Sequence, residues 1–192
     1  MTSKEEQFRR PSHWSLDFVH DRMVNGRALL LLTVHDDCTR ECLWTEADTS
    51  LSGPRVARVL DYVADLRGRP RSLITDNGPE FPRLALERWA HDRQVEHRFI
   101  TPGKPAHNGY IESFNGKLRD ECLNEHEFLD LHHARELIES FREDYNHHRP
   151  HSSLDGLTPS EFAAQMARAP MGAPLDQTKG SVLKIQQKDG LW

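Results

Sequence analysis

Cysteine is scarce in this chain of 192 residues: Cys38, Cys42 and Cys122 are the whole set, and three is an odd number. That count gives no disulfide scaffold, so a reducing, cytoplasmic setting is expected. Long apolar runs are missing too. Nothing approaches the roughly 20 consecutive apolar residues that cross a bilayer, so no membrane is expected among the partners. The opening stretch from Met1 to Trp14 holds no apolar segment of the kind a secretory signal needs. Net positive charge is also lacking, since 25 Lys and Arg stand against 30 Asp and Glu, a formal −5. A protein that simply coats DNA needs clustered cations, so that class is disfavoured. Internal repeats and low-complexity tracts are absent as well.

What is present suits a globular core: 36% hydrophobic and 29% charged residues, in a length that makes one domain or one with a small appendage. Charge is unevenly spread. Arg55, Arg58, Arg67, Arg69 and Arg71 face only Asp61 and Asp65, and Arg98, Lys104, Lys117 and Arg119 surround the single acid Glu112. Two basic stretches in an acidic whole suit an enzyme that touches DNA in one place.

Periodicity sets out the elements. Trp14 to Val19 alternates in the manner of a strand, Asn25-Gly26 signals a turn, and Ala28 to Val34 reads as a buried strand. Glu41 to Thr45 makes a third. Val56, Val59, Leu60 and Val63 recur at helical spacing, with Ser52 as N-cap and Pro54 in the first turn. Ser72 to Thr75 is a short strand. Phe81, Leu84, Ala85 and Trp89 give a second helix, and Val95 to Ile100 a fifth strand. A helix from about Asn108 to Cys122 carries the stripe Ile111, Phe114 and Leu118, and another carries Leu131, Ala134, Leu137, Ile138, Phe141 and Tyr145. The order is a meander followed by alternating units, an α/β arrangement. The expected division is a lead over 1–12, a core over 13–165 and a tail over 166–192.

Three acids stand where structure alone does not ask for them. Asp17 interrupts an apolar strand, Asp76 ends another, and Glu112 lies on a helix beside its apolar stripe. Helical counting puts Asn108, Glu112, Asn115 and Arg119 on one adjacent polar face. Oxygen-rich clusters of this kind suit Mg²⁺ or Mn²⁺. Taken singly, each acid reads as an ordinary solvated or capping residue, and Asp76-Asn77-Gly78 is a common turn sequence.

The combination carries more. Trp14-Ser15-Leu16-Asp17-Phe18-Val19, Asp76-Asn77-Gly78-Pro79-Glu80-Phe81 and the run from Pro102 to Gly116 resemble the integrase core of bacterial insertion-sequence transposases. The nearest group is the one whose second reading frame encodes the catalytic protein, related to retroviral integrases. The 35 residues between Asp76 and Glu112 match that family's spacing. Leu118 to Asn124, Tyr145 to Leu154 and Thr158 to Phe162 are similar to it as well. The resemblance implies a ribonuclease H-like fold with a five-stranded mixed sheet flanked by helices. It implies metal-dependent DNA cleavage and strand transfer, with Asp17, Asp76 and Glu112 holding Mg²⁺ or Mn²⁺, two ions in all. Arg119, seven residues beyond Glu112, would meet DNA phosphate, with Lys104, Asn108, Asn115 and Lys117 as further DNA-contacting candidates. Element ends and target DNA are the implied partners, in a homodimer or higher assembly within the bacterial cytoplasm. Family proteins carry helical DNA-reading segments ahead of the core, so such a segment is expected to be missing here or supplied separately. The competing readings are a non-catalytic DNA-binding or assembly remnant and a plain nuclease of the same fold.

Other constellations are weaker. His147-His148-x-x-His151 and Cys38-x-x-x-Cys42 could be pieces of a zinc site, but structural or solvated side chains are expected. Tyr145 near Arg149 resembles a tyrosine recombinase pair, yet Tyr145 falls on an apolar stripe. Asp36-Asp37 reads as a solvated turn, and Trp14, Trp44 and Trp89 as core.

Overall fold

The computed structural model describes residues 12–76, 83–100 and 109–168. The expectations for Asn77-Gly78, Phe81, Lys104 and Asn108 lie outside them. β1 (His13–Arg22) and β2 (Ala28–Asp36) form an antiparallel hairpin. Gly26 turns it with φ 79, a left-handed conformation that glycine adopts without strain. β3 (Cys42–Asp48) continues antiparallel on β2. α1 (Gly53–Arg67) then carries the chain back to β4 (Ser72–Thr75), which lies parallel beside β1. After α2 (Arg83–Asp92), β5 (Glu96–Phe99) adds parallel to β4. The sheet order is β3-β2-β1-β4-β5, so the strand bearing Asp17 is central.

Alternation along the strands feeds two cores. Trp14, Leu16 and Phe18 of β1 pack with Val56, Leu60 and Val63 of α1 and with Leu86 and Trp89 of α2. Val19, Leu29 and Leu31 pack on the other face against α3 (Gly109–Leu118) and α4 (Leu131–His147) through Phe114, Leu118, Ile138, Phe141 and Tyr145. Each such side chain contributes roughly 1.5–3 kcal/mol when removed from water. Trp14 and Trp89 are buried as expected, whereas Trp44 is half-buried with its ring 4.9 Å from Tyr62.

Several expectations need correction. The buried face of α2 is Leu86, Trp89 and Ala90, and Leu84 is 81% exposed, so the periodicity was offset. The third helix is shorter than expected: α3 stops at Leu118, and Arg119–Leu123 form a π-helical turn closed by the Asn124 N–H donating to the Arg119 carbonyl. The Asp36-Asp37 turn is not solvated. Asp36 is 7% exposed and accepts from Ser12 Oγ and the Cys38 N–H, while Asp37 accepts from Ser15 Oγ. Finally, α5 (Pro159–Arg168) is a helix that the periodicity did not mark. Thr158 and Glu161 exchange reciprocal hydrogen bonds at its start, a capping box legible as Thr-x-x-Glu.

Candidate active site

The parallel register brings the first two acids together. Leu16 pairs with Thr75, so the next step sets Asp17 level with Asp76, on neighbouring strands about 4.8 Å apart. Leu16 and Leu73 point into the α1–α2 core. Alternation therefore sends Asp17 to the opposite face, the one α3 covers, and Asp76 follows just past the end of β4, near enough for its charge to act on Asp17. Glu112 sits in the first turn of α3. Asp17 and Asp76 are half-buried, while Glu112 is exposed.

Asp17 is fixed by two donors. Asn115 Nδ2 donates to Oδ2 at 2.7 Å, and the Phe18 N–H donates to Oδ1 at 2.8 Å. Asn115 is itself oriented by Thr33, whose hydroxyl donates to Asn115 Oδ1 at 3.1 Å. Burial pushes the Asp17 carboxyl above its usual range, the two donors pull it back, and the charges of Asp76 and Glu112 push it up again. Three carboxylates thus repel across one site, which suits a cation. Hard oxygen donors match Mg²⁺ or Mn²⁺. The acids are not drawn tight, however. Among the described residues no group of three His, Cys, Asp or Glu side chains is placed to hold an ion as it stands.

An open cleft of about 280 Å³ runs beside the acids, with Asp17, Val19, Glu112, Gly116 and Arg119 in its walls. Arg119 is exposed there, its Nη2 donating to the His20 carbonyl at 3.2 Å. The other expected DNA contacts fare differently. Asn115 also borders the cleft, but it is buried, with its amide committed to Asp17 and Thr33. Lys117 lies half-buried on the far flank of α3, 5.7 Å above the Tyr145 ring. Sequence reasoning missed the holding role of Asn115. The available signal was its place three residues after Glu112, directly beside the core residue Phe114.

The remaining constellations carry no site. His147 and His148 are exposed beside Glu143 and Asp144, and His151 packs edge-on against Tyr145. Tyr145 is 4% exposed within an aromatic cluster with Phe114 and Phe141. Burial pushes its hydroxyl well above the usual phenol range, so it makes a poor nucleophile. Burial likewise pushes Cys38 up to about 11, which makes it an unreactive thiol.

A mixed five-stranded sheet with one acid on its central strand, a second just past the end of the neighbouring strand and a third on the covering helix fits an integrase-type core. Two family profiles, each described as "Integrase core domain", match residues 8–105 and 93–159. The chain belongs to the integrase core domain family. Two similar proteins come from insertion elements. The insertion element IS407 uncharacterized 31.7 kDa protein of Burkholderia multivorans is 53% identical over 161 residues, covering 84% of this chain and 58% of that protein. The insertion element IS476 uncharacterized 39.2 kDa protein of Xanthomonas euvesicatoria is 51% identical over 151 residues, covering 79% of this chain and 44% of that protein. The chain therefore spans about half the length of these curated relatives. Among solved structures, the HTLV-2 integrase catalytic core domain in complex with magnesium superposes with a TM-score of 0.61 at 18% identity. That match covers 79% of this chain and 95% of the viral one, and it shows the ribonuclease H-like fold expected from the sequence.

Proposed function

We infer that this chain is the catalytic core of a metal-dependent DNA strand transferase that cuts a phosphodiester at an element end and joins the freed 3′-hydroxyl to target DNA. The observation that supports this best is the convergence of Asp17, Asp76 and Glu112 on one face, close enough that the latter two charges raise the Asp17 carboxyl. Divalent ions held by these oxygens would activate the attacking oxygen and stabilise the leaving one. The chain's own groups do the rest. Asn115 and the Phe18 N–H keep Asp17 pointed into the site. Glu112, exposed on the first turn of α3, is free to close on a ligand. The Arg119 guanidinium, in the cleft wall, meets a backbone phosphate of the DNA next to the acids. The burial of Tyr145 disfavours a covalent tyrosine route. Joining two DNA ends needs at least two protomers, so a homodimer or higher assembly belongs to the reading.

The test is a supercoiled-plasmid assay in Mn²⁺ with the chain and its Asp76→Asn form. Nicking is expected to fall by more than about 100-fold, beyond the 10–100-fold typical of outer-shell groups, with the circular dichroism spectrum unchanged. Activity that persists in the variant would sink the assignment. Product analysis separates strand transfer from plain hydrolysis, since a nuclease leaves no joined strands.

A further inference from the structure

α3 carries Glu112 in its first turn, and first turns fray, because their N–H groups have no partners within the helix. Beyond its apolar packing, α3 is tied to the sheet and its turns by three further contacts among the described residues. Arg119 reaches the His20 carbonyl near its end, and Asn115 reaches Asp17 and Thr33 one turn after Glu112. The third tie precedes the acid. The Arg40 guanidinium lies over the Tyr110 ring, 3.1 Å from its centroid. Arg40 comes from the turn between β2 and β3 and adopts φ 65, a left-handed conformation that a non-glycine residue takes up only at a cost. The turn is closed by the Arg40 N–H donating to the Asp36 carbonyl, and Arg40 Nη1 donates to the Asp37 carbonyl. Arg40 Nε is buried with no hydrogen-bond partner, and among the described residues Arg40 has no carboxylate partner. The guanidinium is thus committed to the ring.

Helix geometry gives this contact leverage on the acid. At 100° per residue, Tyr110 and Glu112 lie about 200° apart around α3, with Ile111 between them. Ile111 is fully buried and acts as a pivot. A roll of the first turn about Ile111 would carry Tyr110 one way and Glu112 the other, toward or away from Asp17. Gly109, a poor helix former, starts the helix and does little to stiffen it.

We propose that the Arg40–Tyr110 stack is a positioning clamp that fixes the roll of the first turn of α3 and thereby sets Glu112 against Asp17. The proposal rests on the metal-site reading given above. Its test is Mn²⁺ titration by calorimetry of the wild-type chain and three variants, read together with thermal melting. Arg40→Gly removes the clamp and relieves the left-handed strain, so Mn²⁺ binding is expected to weaken about tenfold while Tm does not fall. A residue with a merely structural role would show the opposite pattern, losing Tm along with affinity. Arg40→Lys keeps a cation over the ring and should recover much of the affinity. Gly109→Ala, added to Arg40→Gly, should restore part of it by stiffening the first turn, since an added Cβ meets nothing within 4 Å. Unchanged Mn²⁺ affinity in Arg40→Gly would overturn the clamp and leave the metal-site reading standing. A metal-independent readout covers the other case. Amide exchange at Ser113 and Phe114, whose helical bonds run to Gly109 and Tyr110, should quicken several-fold in Arg40→Gly. Unchanged exchange would overturn the clamp even if the wild-type chain bound no Mn²⁺, a result that would by itself sink the metal-site reading.

Discussion

At the scale of single residues, the environment of Asp17 bears on stability and, on the proposed metal-site reading, on metal affinity. Its carboxyl is raised chiefly by burial, against the pull of Asn115 and the Phe18 N–H. A raised folded-state value means that the fold binds this proton more tightly than the unfolded chain does. The stabilising contribution is fully present below the ordinary carboxylate value and is lost as pH rises through the raised one. Asp36, also raised by burial, acts in the same direction. At neutral pH without metal, Asp17 therefore burdens the fold, and Asp17→Asn should raise Tm. Melting in EDTA checks it, and a lower Tm would contradict it. Divalent binding needs the ionised form, so Mn²⁺ affinity should decline as pH falls through the raised Asp17 value. Asn115→Ala removes a group that lowers that value. It should move the decline to higher pH and weaken binding by about 10–100-fold. A pH series of titrations decides between that and an unchanged profile.

At the scale of elements, most of the strands and helices were legible because their apolar periods are clean. Ile111, Phe114 and Leu118 were expected on the buried stripe of α3, and all three are fully buried. The misses have physical causes. In α2 the offset arose because Leu84 was counted as core although it faces water. The π-helical turn after Leu118 leaves the apolar pattern intact, so no period marks it. The cover over the β3 edge was also out of reach, since it pairs residues about a hundred positions apart. Asn146 accepts from the Cys42 N–H and donates to its carbonyl, both at 2.9 Å, while Arg135 reaches the Ala47 carbonyl. These α4 side chains occupy backbone groups that an edge strand would otherwise offer to another chain. Asn146→Ala should therefore cost about 1–3 kcal/mol by leaving the Cys42 N–H unpartnered, while Arg142 Nη1 still donates to the Cys42 carbonyl. It should also increase aggregation, which denaturant unfolding and light scattering would measure. A variant as stable and as soluble as the wild type would remove that role.

At the scale of the molecule, the sequence proposes the three acids but not how they would meet. Asp17 and Asp76 are far apart in the chain, and the parallel pairing of β1 with β4 makes them neighbours. Nothing in the element order alone specified β3-β2-β1-β4-β5. Whole-molecule charge bears on DNA affinity. A chain of net charge −5 repels a polyanion overall, so binding must depend on a few local cations. Among the described residues, Arg119 is the expected cation that lines the cleft. Arg119→Ala should weaken DNA binding and reduce the slope of log affinity against log salt by about 0.9, the loss of one phosphate contact. Lys117→Ala, on the far flank of α3, should leave that slope unchanged. Equal slopes for Arg119→Ala and the wild type would take Arg119 out of the interface.

The most direct test of the account is calorimetric titration of the chain with Mn²⁺ at neutral pH, set beside the same titration of Asp17→Asn. Binding by the wild-type chain that disappears in the variant is the predicted result, because Asp17 is held in the site by Asn115 and the Phe18 N–H. Equal binding by both forms, or none by either, would contradict a carboxylate metal centre built on Asp17, Asp76 and Glu112.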